Sequence, residues 1–352
     1  MPTRRRRNSY KVEGWISLGF KNSLVYRERV IVEDNNERKS KERFIKQFEG
    51  KIETLHENVS NFGLLANKFI PIIDTKMVDS RGREKEWFSL LKLDKECIGG
   101  EFKYPFLKTI SYFSFKRDKY KRLTCRIKSQ IDSLKRNGYI EILNQHFATK
   151  SRLIVGLGTD SVLETSLTLH KIFGIPYIPA TALKGVVRAV KFWELAKAKN
   201  VVSNESTLKV FQEKFYGELD TSDEDTFKAQ LLFGAKNFKG LLLFLDAFPE
   251  INNKKLFDVD IMNVHYPDYY TKNEPPTEWQ QPTPIFFLTV KEGVKFYIAV
   301  LFDQYRYEKL PKEYKKLDLN NLQAKLTDLV STALSEFGIG AKTRLGYGIL
   351  NK

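Results

Sequence analysis

Residues 338–348 combine glycines with cations, reading Gly-Ile-Gly-Ala-Lys-Thr-Arg-Leu-Gly-Tyr-Gly. The four glycines let the loop bring backbone amides and two cations close to a polyanion. A helix C-cap followed by a tight turn would account for one or two of these glycines but not for all four. The segment therefore predicts a cationic connection between a last helix and a last short strand. Its predicted phosphate contacts are Gly340, Lys342, Thr343, Arg344 and Tyr347.

The better-known phosphate motifs do not fit this loop. A dinucleotide fingerprint follows a strand and opens a helix, whereas residues 338–348 come after a helix-like run. A phosphate-binding P-loop would need glycine where Ala341 stands.

A second cationic pattern covers residues 181–191, where Lys184, Arg188 and Lys191 share one helical face opposite an apolar stripe. Thr181 can cap the first turn, whose amides add positive potential near a phosphate. Gly185 costs about 1 kcal/mol relative to alanine inside a helix, which close approach of another backbone or an RNA strand would explain. We predict RNA contacts at Thr181, Lys184, Arg188 and Lys191; solvated helix cations are the alternative.

Histidines and tyrosines offer weaker candidates. His170 follows an alternating stretch and is expected to be a strand residue with a structural or RNA-contacting role. His265 lies in an aromatic segment with Tyr266, Tyr269 and Tyr270. Those rings can stack on bases, anchor their loop to the body of the protein, or contact a neighbouring subunit.

The carboxylates show no compelling pair. Asp246 ends an apolar run, and Asp258 and Asp260 lie in a proline-rich stretch. Metal-assisted cleavage of RNA would need converging carboxylates, which spacing alone leaves open. We predict turn and cap hydrogen bonds for these residues, with no catalytic residue, metal or cofactor.

Composition points to a nucleic-acid partner. The 352 residues carry a formal net charge of +16, and a field of that size favours a polyanion. Residues 4–7 are four arginines, expected to form a disordered basic arm. No apolar run approaches bilayer length, so no membrane partner is expected. Cys97 and Cys125 are not spaced as a metal or redox pair, which fits a reducing cytoplasm.

Periodicity gives an α+β order of elements. Residues 115–135 predict an amphipathic basic helix, either solvated or facing RNA. Beyond it the patterns predict strands at 152–158 and 239–246, a hairpin of 284–290 and 294–302, and a final strand at 347–350. Helices are predicted at 180–199, 206–216 and 320–337, and residues 249–281 as a long inserted loop.

This order is a decorated β-α-β-β-α-β unit, an antiparallel sheet with helices on one face. The free face of such a sheet is a common platform for single-stranded RNA. We expect one main domain at residues 111–352, with the poorly readable residues 1–110 packed on it.

Three segments together resemble the RAMP superfamily of CRISPR proteins: residues 152–158, residues 178–188 and the C-terminal glycine loop. Further runs at 244–249, 265–270 and 338–343 are similar to one branch, the sixth subunit of the type III-B Cmr effector complex. The resemblance covers about residues 143–352. Ala180 and Thr181 stand where that family more often has Gly-Ser, which can alter how closely RNA lies there.

The resemblance implies a ferredoxin-like, RRM-like RAMP fold and a non-catalytic role. It implies binding to CRISPR RNA near its 3′ end and to target RNA, beside the backbone subunits and the first Cmr subunit. One alternative is a CRISPR RNA-processing endoribonuclease, another RAMP branch, with His170 or His265 as general base. The other is a structural adaptor that binds proteins.

Overall fold

The computed structural model describes residues 10–20, 23–34, 61–67, 72–78, 84–89, 100–115, 117–158, 165–251, 255–264 and 283–352, with isolated positions between these ranges. The strands are β1 (Tyr10–Phe20), β2 (Ser23–Asp34), β3 (Ile72–Val78), β4 (Glu84–Ser89), β5 (Tyr139–Thr149), β6 (Leu242–Phe244), β7 (Phe248–Pro249), β8 (Phe257–Val264), β9 (Thr283–Val290), β10 (Lys295–Asp303) and β11 (Leu350–Asn351). The helices are α1 (Phe62–Asn67), α2 (Gly100–Ser111), α3 (Arg117–Arg136), α4 (Ala180–Ala198), α5 (Glu205–Tyr216), α6 (Glu224–Phe233), α7 (Gln304–Glu308) and α8 (Leu319–Thr332). None of these helices is both long and apolar enough to cross a bilayer.

The chain forms two compact units. The first consists of Met1–Ser114, Gly158–Ile175 and Lys255–Thr289, and the second of Phe115–Leu157, Pro176–Lys254 and Val290–Lys352. The first unit thus takes in two later segments of the chain, one of which contains most of the predicted insertion at 249–281.

The first unit contains a four-stranded antiparallel sheet in the order β2-β1-β3-β4. Strand β8 pairs with β9, and α2 packs against β8. Phe62 is fully buried, with its ring centroid 4.2 Å from that of Phe257. The prediction of a long loop at 249–281 is therefore wrong for β8, which pairs with β9, a strand that begins after residue 281.

The second unit contains a sheet in the order β11-β5-β10-β6, in which every neighbouring pair is antiparallel. Helix α4 comes between β5 and β6 in the chain, and α8 comes between β10 and β11. The split β-α-β-β-α-β unit and the α+β fold class are confirmed.

Helix α3 packs on the sheet through Ile131, which clusters with Leu245, Ala299 and Leu301. Successive residues of a strand point to opposite faces, and Ile298 and Phe302 of β10 are fully buried as well. Both faces of the sheet are thus covered over these positions. The expectation of a face left free for RNA is wrong here, because α3 occupies it.

Residues 152–158 are not the first strand of the sheet; that strand is β5. Leu153 makes only an isolated pair of backbone hydrogen bonds with Val290, at 3.0 and 2.8 Å. Leu153 and Ile154 are buried, so the apolar run indicated burial correctly, but the backbone there is irregular. The predicted hairpin is also wrong, since β9 pairs with β8 while β10 pairs with β5 and β6.

The helix predictions are confirmed. Residues 115–135, 180–199 and 206–216 correspond to α3, α4 and α5. The predicted helix at 320–337 is α8 continued by a π-helical turn at Ala333–Phe337. The last strand is shorter than predicted and begins at Leu350.

Candidate nucleic-acid interface

The C-terminal glycine loop (residues 338–348) connects the turn after α8 to β11, as predicted, and lies on the segment that precedes residue 156. The Ala341 amide donates to the Ile154 carbonyl and the Gly348 amide to the Arg152 carbonyl, both at 2.8 Å. Gly340 adopts φ of +94°, and a Cβ there would collide with the Ile154 carbonyl. The glycines therefore serve close backbone packing, which holds the loop in one shape.

The centre of this loop contains its two cations, of which Arg344 is exposed. Lys342 adopts a left-handed conformation with φ of +59° and precedes a short 3-10 turn at Thr343–Leu345. Arg344 is exposed, and Lys342, Thr343 and Tyr347 are half-buried. The loop connects the last helix to the last strand and carries exposed positive charge at Arg344, as predicted, and its phosphate contacts stay predictions.

Helix α4 begins at Ala180, so Thr181 lies inside the first turn and does not cap it. The cap comes from the sheet: the Ala180 amide donates to Asp246 Oδ1 at 2.7 Å. The cap hydrogen bond predicted for Asp246 is confirmed, whereas the capping role of Thr181 is wrong. Asp246 also places a carboxylate at the positive end of α4, which weakens the attraction of that end for a phosphate.

The cations of α4 have different surroundings. Arg188 Nη2 donates to the Gly234 carbonyl at 3.0 Å, and its guanidinium lies 4.6 Å from the centroid of the Tyr216 ring. Burial lowers the pKa of Arg188. Lys191 forms an ion pair with Glu194 at 3.2 Å. Arg188 thus holds α4 to its neighbours, and its contact with RNA stays a prediction.

Lys184 lies in a cationic cluster that no local sequence pattern predicted. Burial lowers the pKa of the Lys184 ammonium, and the charges of Arg188, Lys239 and Arg306 lower it further. Lys239 ends a loop that begins at Gly234, and Arg306 belongs to α7. One signal for the loop that contains Lys239 was present: residues 234–236 read Gly-Ala-Lys, as do residues 340–342. Arg306 had none.

Topology places the start of α4 and the C-terminal glycine loop at the same end of the sheet. Leu350 of β11 pairs with Thr149 at the end of β5. Ile178, just before α4, pairs with Ala247, which precedes the β7 strand paired with the start of β10. That arrangement agrees with a common site at the start of α4. Lys184 and Arg188, however, lie farther along the helix, toward Lys239 and Arg306.

No close contact among the described residues of the second unit requires glycine at position 185. A Cβ at this position would meet no atom within 4 Å, and Gly185 is exposed on α4. Close packing of another part of the described chain therefore does not explain it. The remaining explanation from the sequence analysis is close approach of a bound strand.

Histidine 170 closes a turn in the first unit and is not a strand residue. Its Nδ1 accepts from the amides of Ile172 and Phe173 at 3.2 and 3.3 Å. An Nδ1 that accepts carries no proton, so the neutral ring is protonated at Nε2. This geometry favours the structural role.

The aromatic candidates fall partly outside the described residues. His265 and Tyr270 lie outside them. Tyr266 and Tyr269 are 38% and 48% exposed. Their contact with RNA or a neighbouring subunit stays a prediction.

Helix α3 is amphipathic, as predicted. Leu123 and Ile131 are buried, while its exposed cations include Lys121, Arg122, Arg126, Lys128 and Lys135. Whether this face meets RNA stays a prediction.

Carboxylates do not converge in the described part of the chain. Among those residues no three His, Cys, Asp or Glu side chains group closely enough to hold a metal ion. Asp258 and Asp260 each accept a hydrogen bond from the next backbone amide, at 3.1 and 2.8 Å. Both residues lie within β8, so the turn and cap positions predicted for Asp258 and Asp260 are wrong, although their hydrogen bonds are local.

Comparison with known proteins gives concordant matches. The sequence profile of the RAMP superfamily matches residues 146–351. The CRISPR system Cmr subunit Cmr6 of Pyrococcus furiosus is 35% identical over 259 residues, covering 60% of this chain and 70% of that protein. The Cmr6 subunit of Saccharolobus solfataricus is 23% identical over 240 residues, covering 67% of this chain and 66% of that protein.

Two solved structures are also similar. One is the cryo-EM structure of the type III-B Cmr-beta bound to cognate target RNA, with a TM-score of 0.49, 21% identity and 71% of each chain covered. The other is the crystal structure of Cmr6 from Pyrococcus furiosus, with a TM-score of 0.38, 32% identity, and 61% of this chain and 98% of that chain covered.

Proposed function

The chain belongs to the RAMP superfamily, in its branch of Cmr6 subunits, and from this premise we propose that it is a non-catalytic, RNA-binding subunit of a type III-B CRISPR ribonucleoprotein. It binds CRISPR RNA near the 3′ end and completes the backbone filament beside the repeated subunits and the first Cmr subunit. It lies close to target RNA when that RNA pairs with the guide. The proposed place of action is the cytoplasm.

The observation that carries the RNA-binding role is the C-terminal glycine loop. Backbone hydrogen bonds to Arg152 and Ile154 fix its shape, and Arg344 is exposed at its centre. A preformed loop loses little conformational freedom when a phosphate binds, so more of the electrostatic attraction appears as affinity. The net charge of +16 strengthens that attraction at a distance.

The absence of catalysis is part of the proposal. It is supported by the engagement of the strongest candidate groups in structural contacts. Asp246 caps α4, and His170 closes a turn through Nδ1. A general base needs a free acceptor within reach of the proton that it removes.

A salt titration of RNA affinity tests the proposal. In single-stranded RNA each lost phosphate contact lowers the slope of log affinity against log salt by about 0.7. Replacing Lys342 and Arg344 together with alanine should therefore lower the slope by about 1.4. The matched control is Lys312→Ala with Lys316→Ala, which removes the same charge from exposed positions outside the loop. An unchanged slope in the loop variant, with impaired assembly of the Cmr complex, would favour the adaptor function.

A nuclease assay separates the proposal from the processing enzyme. The purified chain is incubated with CRISPR repeat RNA, once with magnesium and once with EDTA, and no specific product is expected. Product bands that disappear in the His170→Ala variant would establish the endoribonuclease instead.

A further inference from the structure

The loop of residues 234–240, called here the internal glycine loop, matches the C-terminal glycine loop in sequence. It reads Gly-Ala-Lys-Asn-Phe-Lys-Gly, whereas residues 340–346 read Gly-Ala-Lys-Thr-Arg-Leu-Gly. Both begin with Gly-Ala-Lys, both end with glycine at the same spacing, and both contain two cations.

The two loops occupy equivalent places in the fold. The internal glycine loop follows α6 and leads into β6, the strand that completes the first β-α-β half. The C-terminal glycine loop follows α8 and its π-helical turn and leads into β11, which completes the second half. In the sheet order β11-β5-β10-β6 these two strands end the path at opposite sides. The match in sequence is therefore also a match in structure.

Two arginines fix the internal glycine loop. Arg188 Nη2 donates to the carbonyl of Gly234 at 3.0 Å. Arg306 donates to the carbonyls of Lys239 and Gly240, and its guanidinium lies 5.1 Å from the centroid of the Phe238 ring. Across the loop, the Ala235 amide donates to the Phe238 carbonyl at 2.8 Å. These contacts hold the loop, and the Arg188 guanidinium adds positive charge beneath it, whereas that of Arg306 is paired with Asp303 at 3.8 Å.

The lysines of the internal glycine loop remain available. Lys236 and Lys239 are exposed. Neither forms an ion pair with a carboxylate among the residues that the structure describes. Lys184, the half-buried neighbour of Lys239, adds a further positive charge. Asp303 offsets the charge of Arg306 at 3.8 Å, so the charge available to a polyanion here is that of the lysines.

An open groove adjoins this loop. It has a volume of about 350 Å³ and is lined by Lys209, Gln212, Glu213, Tyr216 and Lys236. That volume lies within the range of about 300–1,000 Å³ usual for small-ligand sites. The Tyr216 ring is held by the Arg188 guanidinium, 4.6 Å from the ring centroid. The groove thus holds an aromatic ring with two lysines and one acid, Glu213. An aromatic ring beside lysines is the combination that binds a base and its phosphates in single-stranded nucleic acid.

We propose that the internal glycine loop and the adjoining groove form a second RNA-binding site. Lys236 and Lys239 contact phosphates of a single strand, and one base stacks on Tyr216. The inference rests on the proposed function, to which it adds a second contact surface at the opposite side of the sheet.

The test compares the salt slopes of the full chain and four variants, one of which is Lys342→Ala with Arg344→Ala, using a fluorescein-labelled single-stranded RNA of unrelated sequence. Replacing Lys236 and Lys239 with alanine should lower the slope by about 1.4, as expected for two phosphate contacts. Combining these changes with Lys342→Ala and Arg344→Ala should lower it by about 2.8. The control is again Lys312→Ala with Lys316→Ala, which should leave the slope close to that of the unmodified chain.

Cross-linking gives an independent readout. When the RNA contains 4-thiouridine, mass spectrometry should find a cross-linked peptide that contains Tyr216. That product should decrease in the variant lacking Lys236 and Lys239.

The outcomes separate the inference from the proposed function. A slope for the Lys236 and Lys239 variant equal to that of the control would overturn the second site. If Lys342→Ala with Arg344→Ala still lowered the slope, the proposed function would stand without it. An unmodified chain with no salt-dependent RNA binding would overturn both.

Discussion

The two glycine loops carry similar residues but are fixed by different means. Backbone groups of Arg152 and Ile154 hold the C-terminal glycine loop. The side chains of Arg188 and Arg306 hold the internal glycine loop. The cations of the C-terminal glycine loop, Lys342 and Arg344, lie at its centre. The internal glycine loop is held in place by two cations from elsewhere in the chain, Arg188 and Arg306.

This difference teaches that cations in a basic protein are not interchangeable. Arg188 and Lys184 share a helical face, yet the Arg188 guanidinium is engaged with Gly234 and Tyr216. The difference in how the two loops are held also predicts different effects of glycine and arginine substitutions. Arginine changes should damage the internal glycine loop alone, whereas glycine changes should damage both loops, because a Cβ at Gly240 would also collide with backbone.

The largest expected effect is that of Gly340→Ala. A Cβ at this position would collide with the Ile154 carbonyl, and φ of +94° is unfavourable for alanine. We expect the free energy of unfolding in urea to fall by about 3 kcal/mol or more. Gly346→Ala is the control, because its φ is +86° but its Cβ would meet nothing within 4 Å. Equal losses in the two variants would show that steric packing against Ile154 is unimportant.

The second effect concerns the side-chain support of the internal glycine loop. Arg188→Met keeps an apolar stem but loses the hydrogen bond to Gly234 and the cation–π contact with Tyr216. We expect a loss of about 2 kcal/mol of unfolding free energy. Lys191→Met, which removes only a partner of Glu194, should change stability by under about 0.5 kcal/mol. Unchanged stability with a reduced salt slope would mean that Arg188 contacts phosphate directly.

The cap of α4 should have a smaller effect. Asp246→Ala leaves the Ala180 amide without its acceptor and should cost about 1 kcal/mol. Asp246→Asn retains an acceptor oxygen and should keep most of that stability. Thermal unfolding of both variants measures the difference, and similar losses would indicate that the negative charge matters more than the hydrogen bond.

Glycine 185 should respond in the opposite direction to the loop glycines. Because a Cβ there has room, Gly185→Ala should stabilise the chain by up to about 1 kcal/mol. If a bound strand passes close to α4, the same change should weaken RNA affinity. Higher stability with unchanged affinity would place the strand elsewhere.

The smallest expected effect is on the pH dependence of stability, through Asp220 near the internal glycine loop. Hydrogen bonds from Ser222 and Lys214 lower the pKa of Asp220 to about 2 from its ordinary value of 3.8. A carboxyl with a depressed pKa in the folded state contributes stability that is present above pH 3.8 and lost as the pH falls toward about 2. Asp220→Asn should therefore reduce the loss of stability between these pH values, as measured by urea unfolding. An identical acid dependence would contradict this role.

The sequence predicted helices α3, α4, α5 and α8 and the cationic C-terminal loop well, because these depend on local periodicity and local glycine spacing, but it missed α6. It misplaced the first strand at 152–158, since a buried apolar run looks alike in a sheet and in an irregular segment. It also left one sheet face free, because no local pattern says which side of a sheet α3 covers.

The candidate site shows the same limit. The outward cations of residues 338–348 could be predicted from the loop itself. The capping by Asp246 and the clustering of Arg306 with Lys184 depend on contacts between residues far apart in the chain. Such contacts are set by the topology of the sheet.

The central claim, binding of CRISPR RNA near its 3′ end, can be tested by cross-linking in a host that contains the full complex. RNA cross-linked to the tagged full chain is recovered and sequenced. We expect enrichment of CRISPR RNA with cross-link sites toward the 3′ end, strongly reduced when Lys236, Lys239, Lys342 and Arg344 are replaced together. Recovery of unrelated RNA only, or the same yield from this variant, would contradict the account.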